Sequence, residues 1–219
     1  MAAGEGVRLR PLTERWAKPV LPIDGRPVIA TLVRELRAAG CSRAIVVTGH
    51  VPGQVEALLG DGAAFDLELR YVTQPRRDGS ADAVVKALDA GPQLPALVVG
   101  ADTVFSPGDL GRFAGAFAAS SAAGAMSVRR EPPPNPPHRS PVRIRDGFVE
   151  RVLDDDPANP LAGAPLWGLG RELEPHVRLA LQHQRPPYEL AAAYQEGIDA
   201  GLRVAGIEIG PTRDLTYAL

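Results

Sequence analysis

The chain has 219 residues, a formal net charge of −2, and 45% hydrophobic residues of which few are aromatic. This length accommodates one sizeable hydrophobic core, and the near-neutral charge argues against nucleic acid or an anionic membrane as a partner. No run of about 18 apolar residues predicts a membrane span, no signal-peptide pattern opens the chain, and the single cysteine excludes an internal disulfide, so we expect a cytoplasmic protein.

The first half of the chain alternates between helical and strand patterns. Apolar residues recur with a period of 3.6 in the predicted helices, and β-branched residues form runs or alternate in the predicted strands. In chain order the pattern predicts a helix over 27–39, a strand over 44–48, a helix over 51–59, a strand over 67–72, a helix over 80–90 and a strand over 97–99. Such alternation predicts a mostly parallel sheet with helices on both faces and ligands at the carboxyl ends of the strands.

The second half follows a less regular pattern. Six prolines between residues 131 and 141 exclude regular structure there. Beyond them the sequence predicts a hairpin over 142–153 that turns at Asp146–Gly147, a strand over 166–168, helices over 172–183 and 188–200, and a last strand over 203–209.

The first 19 residues carry the strongest functional pattern. Gly4 and Gly6 frame a turn in which the backbone can approach a ligand closely, and the N–H groups of such a turn suit phosphate oxygens. Arg8 and Lys18 add two cations within reach of the same loop. The pattern is neither the P-loop nor the dinucleotide fingerprint. It favours a polyphosphate site over a generic loop with surface cations.

This opening resembles the sugar-1-phosphate nucleotidyltransferases, which make NDP-sugars from an NTP and a sugar phosphate. Residues 4–13 match their Gly-x-Gly-x-Arg-Leu-x-Pro-x-Thr signature, residues 18–19 match Lys-Pro, and residues 25–29 match Gly-x-Pro-aliphatic-Ile. The resemblance implies a three-layer α/β/α, Rossmann-like, mostly parallel sheet with a small β-rich acceptor lobe. It also implies that Arg8 and Lys18 are catalytic cations. The nucleotide-binding loop would then contain Ala3, Gly4 and Gly6.

The same resemblance organises the chain as one domain over residues 1–219. We expect a nucleotide-binding half over 1–128, a proline-rich loop over 129–141 and an acceptor-binding half over 142–219. In the family the glycine loop follows a buried central strand, but Met1 stands where that strand would end. We therefore expect that the first central strand is missing because the start codon is misassigned. The alternative is that Met1 is the true start and the loop is tethered from one side only.

Three acids are candidate ligands of Mg²⁺. Asp102 follows the strand over 97–99, where a carboxylate can hold a metal that bridges triphosphate oxygens or can cap a turn. The resemblance favours the metal, although Ala101 replaces the glycine of the family. Residues 208–215 resemble a segment of the family that begins with the second Mg²⁺ ligand. Glu208 stands at that position here, and Asp214 is a further candidate. For these two the alternative is a solvated turn.

The segment over 74–83 resembles the base-reading segment of the family. The amide of Gln74 offers a donor and an acceptor, which match the imide edge of a pyrimidine, and Gly79 would let the base lie against backbone. These two residues therefore favour UTP or dTTP as the nucleotide. Without the resemblance, Gln74 would be taken for a solvated loop residue.

The acceptor half resembles the family more loosely. Asp154, Gly163 and Glu189 are candidates for the acceptor-sugar site, and Trp167 could stack on a sugar face or belong to the core. The four histidines show no metal-binding spacing and are interpreted as structural or solvated.

The function implied is Mg²⁺-dependent transfer of a nucleotidyl group from an NTP to a sugar-1-phosphate, with release of pyrophosphate. No nucleic acid or membrane partner is expected, and a homo-oligomer is left open. One alternative keeps the fold but takes another acceptor or base, as in a guanylyl- or cytidylyltransferase. The other is a non-catalytic, regulatory nucleotide-sugar-binding protein, from which pyrophosphate release distinguishes an enzyme.

Overall fold

The computed structural model describes residues 1–4, 6–49, 51, 53–131 and 140–215. Within these residues no helix is both long and apolar enough to cross a membrane. Most of the proline-rich loop, together with His50 and His138, lies outside the described residues.

Helices form where apolar residues recur on one face. In α2, for example, Ile29, Leu32 and Val33 are buried along one side. The described residues contain the α-helices α1 (Leu12–Arg15), α2 (Val28–Ala38), α3 (Gly53–Leu59), α4 (Ser80–Asp89), α5 (Asp109–Ser120), α6 (Glu174–His183) and α7 (Leu190–Asp199).

Short β-branched runs form the strands that lie between the helices. The described strands are β1 (Pro22–Ile23), β2 (Arg26–Pro27), β3 (Arg43–Thr48), β4 (Glu68–Thr73), β5 (Ala96–Val99), β6 (Thr103–Val104), β7 (Gly124–Arg130), β8 (Val142–Arg145), β9 (Phe148–Val152), β10 (Leu161–Leu169), β11 (Val204–Glu208) and β12 (Arg213–Asp214).

The sheet is built from two pieces. Six strands pair in the order β5-β10-β7-β11-β9-β8, and β3 pairs separately with β4. Within each piece, β3 is parallel to β4 and β7 is parallel to β11, whereas β10 is antiparallel to both β5 and β7. The first two residues join the pieces: Ala2 bridges Thr48 at the end of β3, and the nitrogen of Met1 donates to the carbonyl of Val99 at 2.8 Å.

Two hydrophobic clusters lie on opposite faces of this sheet. Helices α2, α3 and α5 contribute to the first cluster, and α4, α6 and α7 contribute to the second. Strand β10 supplies both, with Leu166 in the first cluster and Leu169 in the second. Each fully buried aliphatic side chain contributes about 1.5–3 kcal/mol, so the two layers together hold the sheet between them.

The three-layer α/β/α fold predicted from the sequence is confirmed, with a more mixed sheet than expected. The parallel strands come mainly from the first half, whereas the second half adds the antiparallel strands β9 and β10. The hairpin at Asp146–Gly147 is confirmed, and both residues adopt the positive φ that a tight hairpin turn requires. At the place of the first central strand the structure has only the contacts of Met1 and Ala2 with β3 and β5.

Candidate active site

The glycine loop packs closely against the residues that follow it. Gly6 has a φ of +64°, and a Cβ at this position would lie 2.8 Å from the side chain of Thr13 and 3.2 Å from that of Lys18. The hydroxyl of Thr13, which is buried, donates to the Gly6 carbonyl at 2.8 Å. Glycine is therefore required at position 6 both by backbone conformation and by space.

Lys18 reaches from this loop to the acid at the end of β5. Its ammonium lies 2.5 Å from Oδ2 of Asp102, and the side chains of the pair are 11% and 35% exposed. Such a partly buried, charge-assisted contact fixes both side chains at the carboxyl edge of the sheet. The structure thus brings together two residues that are 84 positions apart in the sequence.

A small cavity opens beside this ion pair. It has a volume of about 230 Å³ and is lined by Gly6, Val7, Arg8, Leu9 and Lys18. Both predicted catalytic cations therefore line one cavity together with the glycine loop. Ala3 is buried behind the loop, where its carbonyl oxygen lies within 2.9 Å of the Cβ position of Gly49.

Gln74 is buried directly after β4, and its amide orientation is fixed. The Nε2 atom donates to the Gly79 carbonyl at 3.0 Å and to Oδ2 of Asp82 at 2.8 Å. Lys86 donates to the other carboxylate oxygen of Asp82 at 3.0 Å. Because both partners of Nε2 can only accept hydrogen bonds, the amide oxygen of Gln74 must point away from them.

The backbone of Tyr188 fills the space that a side chain would need at Gly79. With a φ of +107°, its Cβ would lie 2.3 Å from the backbone nitrogen and oxygen of Tyr188. The amide of Tyr188 donates to the carbonyl of Asp78, and its carbonyl accepts from the amide of Ala81. Glu189 is drawn to the same place, because its carboxylate accepts from the hydroxyl of Ser80 at 3.0 Å.

Glu208, the second candidate metal ligand, forms an ion pair with Arg130 and not with Lys18. It lies at the end of β11 and contacts Arg130, at the end of β7, at 2.9 and 3.2 Å. Strands β10 and β7 separate β11 from β5 in the sheet order. Asp214, in β12, pairs with Thr103 next to Asp102. Among the residues that the structure describes, no three His, Cys, Asp or Glu side chains gather as a preformed metal site.

The acceptor candidates lie within the packing of the second half. Asp154 is buried, and its oxygens accept from Arg143 at 2.5 Å and from Asn159 at 2.8 Å. The backbone of Gly163 bonds to Ser140 and Arg129. Asp154 thus fixes the end of the hairpin to the turn before β10.

Trp167 is half-buried at the side of the second hydrophobic cluster. It packs on the second cluster and makes an edge-to-face contact with Tyr194, with ring centroids 4.8 Å apart. Burial raises the pKa of the Tyr194 hydroxyl, which donates to the Gly168 carbonyl. His183 contacts Glu196 at 3.3 Å on the surface.

Three contributors to the site were given no role of their own by sequence reasoning. They are Thr13, which holds the glycine loop, Asp82, which orients Gln74, and Arg130, which holds Glu208. The spacing of Asp82 and Lys86, four residues apart on one helix, was a usable signal. Thr13 had a signal too, as the last residue of the signature over 4–13, whereas the contact of Arg130 with Glu208 depends on tertiary structure.

Comparison with known proteins identifies the family of the chain. Residues 1–138, more than half of the chain, match the family model described as nucleotidyl transferase. The chain belongs to the nucleotidyl transferase family. This membership confirms the resemblance read from the opening residues.

Curated relatives match parts of the chain. Mannose-1-phosphate guanylyltransferase of Mycobacterium tuberculosis is 42% identical over 74 residues, which is 34% of this chain and 21% of the relative. N-acetylmuramate alpha-1-phosphate uridylyltransferase of Neisseria meningitidis is 32% identical over 139 residues, which is 63% of this chain and 59% of the relative. The chain therefore spans less than two thirds of the length of either.

Solved structures share the fold over nearly the whole chain. The crystal structure of an apo UDP-glucose pyrophosphorylase superimposes with a TM-score of 0.82 at 18% identity, covering 98% of this chain and 91% of that one. This likeness establishes a common fold from the glycine loop to β12.

Proposed function

We propose that the protein transfers a nucleotidyl group from an NTP to a sugar-1-phosphate, giving an NDP-sugar and pyrophosphate. The observation that carries the proposal is the Lys18–Asp102 ion pair beside the glycine-loop cavity, at the carboxyl edge of the sheet. The named relatives are nucleotidyltransferases of sugar-1-phosphate type, which supports the same activity for this chain.

The cations would hold the triphosphate. In the transfer, an oxygen of the sugar phosphate attacks the α-phosphorus of the NTP while the bond to pyrophosphate breaks. Negative charge shifts to the leaving pyrophosphate, and Arg8 and Lys18, which line the same cavity, would stabilise it. The loop around Gly4 and Gly6 would supply N–H groups and the close approach of backbone to phosphate.

Asp102 fits Mg²⁺ as a single protein ligand. Its carboxylate is partly exposed and supplies the hard oxygen donor that Mg²⁺ takes together with substrate phosphates. When bound, the ion would neutralise triphosphate charge and polarise the reacting phosphoryl group. Lys18 already contacts Oδ2 of Asp102, so it would share or release this oxygen. Glu208 would serve as a second ligand only after it leaves Arg130.

Gln74 would read the base through its oxygen. Because Asp82 and the Gly79 carbonyl occupy Nε2, a bound base meets a single acceptor. The ring N–H of uracil or thymine can donate to it. Cytosine and adenine have no ring N–H at this edge and could donate only through the exocyclic amino group, which requires a different position of the base. We therefore propose UTP or dTTP as the substrate. The ring N–H of guanine satisfies the same acceptor, so the guanylyl alternative requires a separate test.

The acceptor sugar would bind on the second half of the chain. Gly163 lies in β10 at the same edge as the glycine loop, and Glu189 lies next to Gly79 through Ser80. Asp154 would act by holding the hairpin in place, because both of its oxygens are already bonded.

The test is pyrophosphate release from a panel of five NTPs and several sugar-1-phosphates with Mg²⁺. We expect release with UTP or dTTP, dependent on both substrates and on the metal. Asp102→Asn should abolish it, whereas Asp66→Asn, which removes an exposed carboxylate paired with Arg37, should leave it unchanged. Binding of nucleotide with no pyrophosphate release from any pair would support a non-catalytic binding protein instead.

A further inference from the structure

The position of the Lys18 ammonium depends on how the backbone ahead of it is held. The charge lies at the end of a flexible four-carbon stem, so the stem must start from a fixed point if the charge is to meet one phosphate oxygen. Trp16, two residues earlier, is 52% exposed, so its ring does not anchor the segment in the core. Ala17 is buried in the first hydrophobic cluster, but its methyl group offers little contact area.

The side chain of Gln54, in the first turn of α3, holds this backbone at two points. Its Oε1 accepts from the amide of Ala17 at 2.8 Å, and its Nε2 donates to the carbonyl of Arg15 at 2.8 Å. A carboxamide carries an acceptor and donors side by side, so one side chain satisfies both backbone groups. Gln54 thus takes the place that a neighbouring strand would take beside an extended segment.

The backbone between the two contacts has the conformation that such pairing requires. Trp16 has φ −126° and ψ 132°, and Ala17 has φ −61° and ψ 131°, so both are extended. A 3₁₀ turn over Lys18–Val20 begins directly afterwards. The chain therefore changes direction at Lys18, immediately after the two contacts, and Nζ of Lys18 reaches Oδ2 of Asp102 from there.

Gln54 itself stands on an element that the core holds in place. The next residue, Val55, and Leu59 one turn later are 1% and 2% exposed and belong to the first hydrophobic cluster. The contacts of Gln54 therefore connect the backbone before Lys18 to a packed helix that lies 36 residues or more away in the sequence. A supporting residue of this kind must be rigid if it is to fix a functional group.

We propose that Gln54 is the positioning residue of Lys18: by bonding to Arg15 and Ala17 it sets the point from which Lys18 reaches Asp102 and the phosphates. The inference rests on the proposed function, in which Lys18 contacts the triphosphate. A displacement of about 1 Å can lower a rate by up to about 100-fold. Loss of the two contacts should therefore lower kcat even though Lys18 keeps its charge.

The chain offers a matched control in a second glutamine of the same kind. Oε1 of Gln195, in α7, accepts from the amide of Val152 at 2.8 Å, and its Nε2 lies 3.5 Å from the carbonyl of Glu150. The two backbone groups are again two residues apart. Methionine has a similar length and no amide, so we expect Gln54→Met to lower kcat by about 10-fold. Gln195→Met should keep kcat within about twofold.

A double-mutant cycle with Lys18→Ala separates positioning from a general loss of structure. If Gln54 acts through Lys18, Gln54→Met should lower the residual kcat of Lys18→Ala by less than about twofold. A general structural defect would lower kcat by the same factor in both backgrounds. If Gln54→Met does not fold, Gln54→Glu keeps the acceptor for Ala17 and loses the donor to Arg15, and it should lower kcat by about threefold in the same cycle.

NMR of the lysine side chains tests the inference without any activity. The protein contains two lysines, Lys18 and Lys86, so labelling lysine with ¹³C at Cε gives two signals, which Lys18→Ala assigns. In Gln54→Met the order parameter of the Lys18 methylene should fall by about one third or more. The Lys86 signal, from a side chain paired with Asp82, serves as the internal reference and should not change.

Three results would overturn the proposal. They are a kcat of Gln54→Met within twofold of the unchanged protein, an equal loss of kcat in both backgrounds of the cycle, and an unchanged Lys18 signal in the folded variant. If the unchanged protein releases no pyrophosphate, the proposed transferase fails, and the NMR comparison alone then decides whether Gln54 holds Lys18.

Discussion

Both lysines of the protein hold carboxylates of the candidate site. Of 24 basic side chains only Lys18 and Lys86 are lysine, and they pair with Asp102 and Asp82. The ammonium is a compact point charge on a flexible stem, and it fits the narrow space beside the glycine loop better than a planar guanidinium would. The Lys18–Asp102 pair lies at the proposed triphosphate site. The Lys86–Asp82 pair orients Gln74, which is proposed to contact the base.

Replacing Lys18 by Ala should lower kcat by about 100-fold or more, because a charge that meets developing phosphate charge is lost. Steady-state pyrophosphate release measures the effect. Arg37→Ala, which removes an exposed cation paired with Asp66, is the control and should retain full turnover. Wild-type kcat in a folded Lys18→Ala protein would contradict the role.

Replacing Asp82 by Asn should relax base preference, because the amide of Gln74 is no longer held in one orientation by an anion. A flipped amide would offer a donor to the ring nitrogen of cytosine. We expect the ratio of kcat/KM for UTP over CTP to fall by about 10-fold, within the 1–3 kcal/mol of a good base contact. An unchanged ratio would mean that Gln74 does not read the base.

At the scale of elements, the start of α4 is held against the start of α7 by backbone contacts that tolerate only glycine. Gly79→Ala places a methyl group 2.3 Å from the backbone of Tyr188, whereas Gly91→Ala, just after α4 and also at positive φ, meets nothing within 4 Å. Gly91→Ala carries backbone strain alone, about 1–2 kcal/mol for a left-handed residue. Gly79 has φ +107° and ψ 177°, a conformation essentially restricted to glycine, so Gly79→Ala adds a clash to a backbone strain that is at least as large. Chemical denaturation should show Gly79→Ala less stable than Gly91→Ala by at least about 1 kcal/mol; equal losses would contradict this packing.

Most helices and strands of the chain could be predicted from the sequence. How they pack against each other could be predicted only in part. Local periodicity was enough for α2 and for the hairpin at Asp146–Gly147, because both depend on neighbouring residues. The many alanines and glycines of α5 gave no clear pattern, although Leu110 and Phe113 are buried in it. The contacts of Gly79 with Tyr188 and of Arg130 with Glu208 join distant segments, which no local pattern encodes.

The whole molecule depends on how its two sheet pieces are joined at Met1. The amino group of Met1 has a pKa of about 6 in the folded protein and 8.0 as its ordinary value. The unfolded chain therefore binds more protons between these values, so the free energy of unfolding should rise as pH increases from 6 to 8. A shift of this size corresponds to about 2–3 kcal/mol.

This pH effect can be isolated by comparing the protein with a form in which the amino group of Met1 is acetylated and therefore does not titrate. Urea denaturation at several pH values should show the stability difference between the two shrinking by about 2–3 kcal/mol from pH 5.5 to pH 8.5. A difference that is constant with pH would mean that the Met1 amino group is solvated in the folded state.

The most direct test of the proposed transferase is phosphorus NMR of the complete reaction. Incubation with UTP, a sugar-1-phosphate and Mg²⁺ should produce an NDP-sugar and pyrophosphate in one-to-one ratio, and Asp102→Asn should produce neither. Orthophosphate in place of pyrophosphate, or equal product from Asp102→Asn and the unchanged protein, would contradict the proposed reaction at this site.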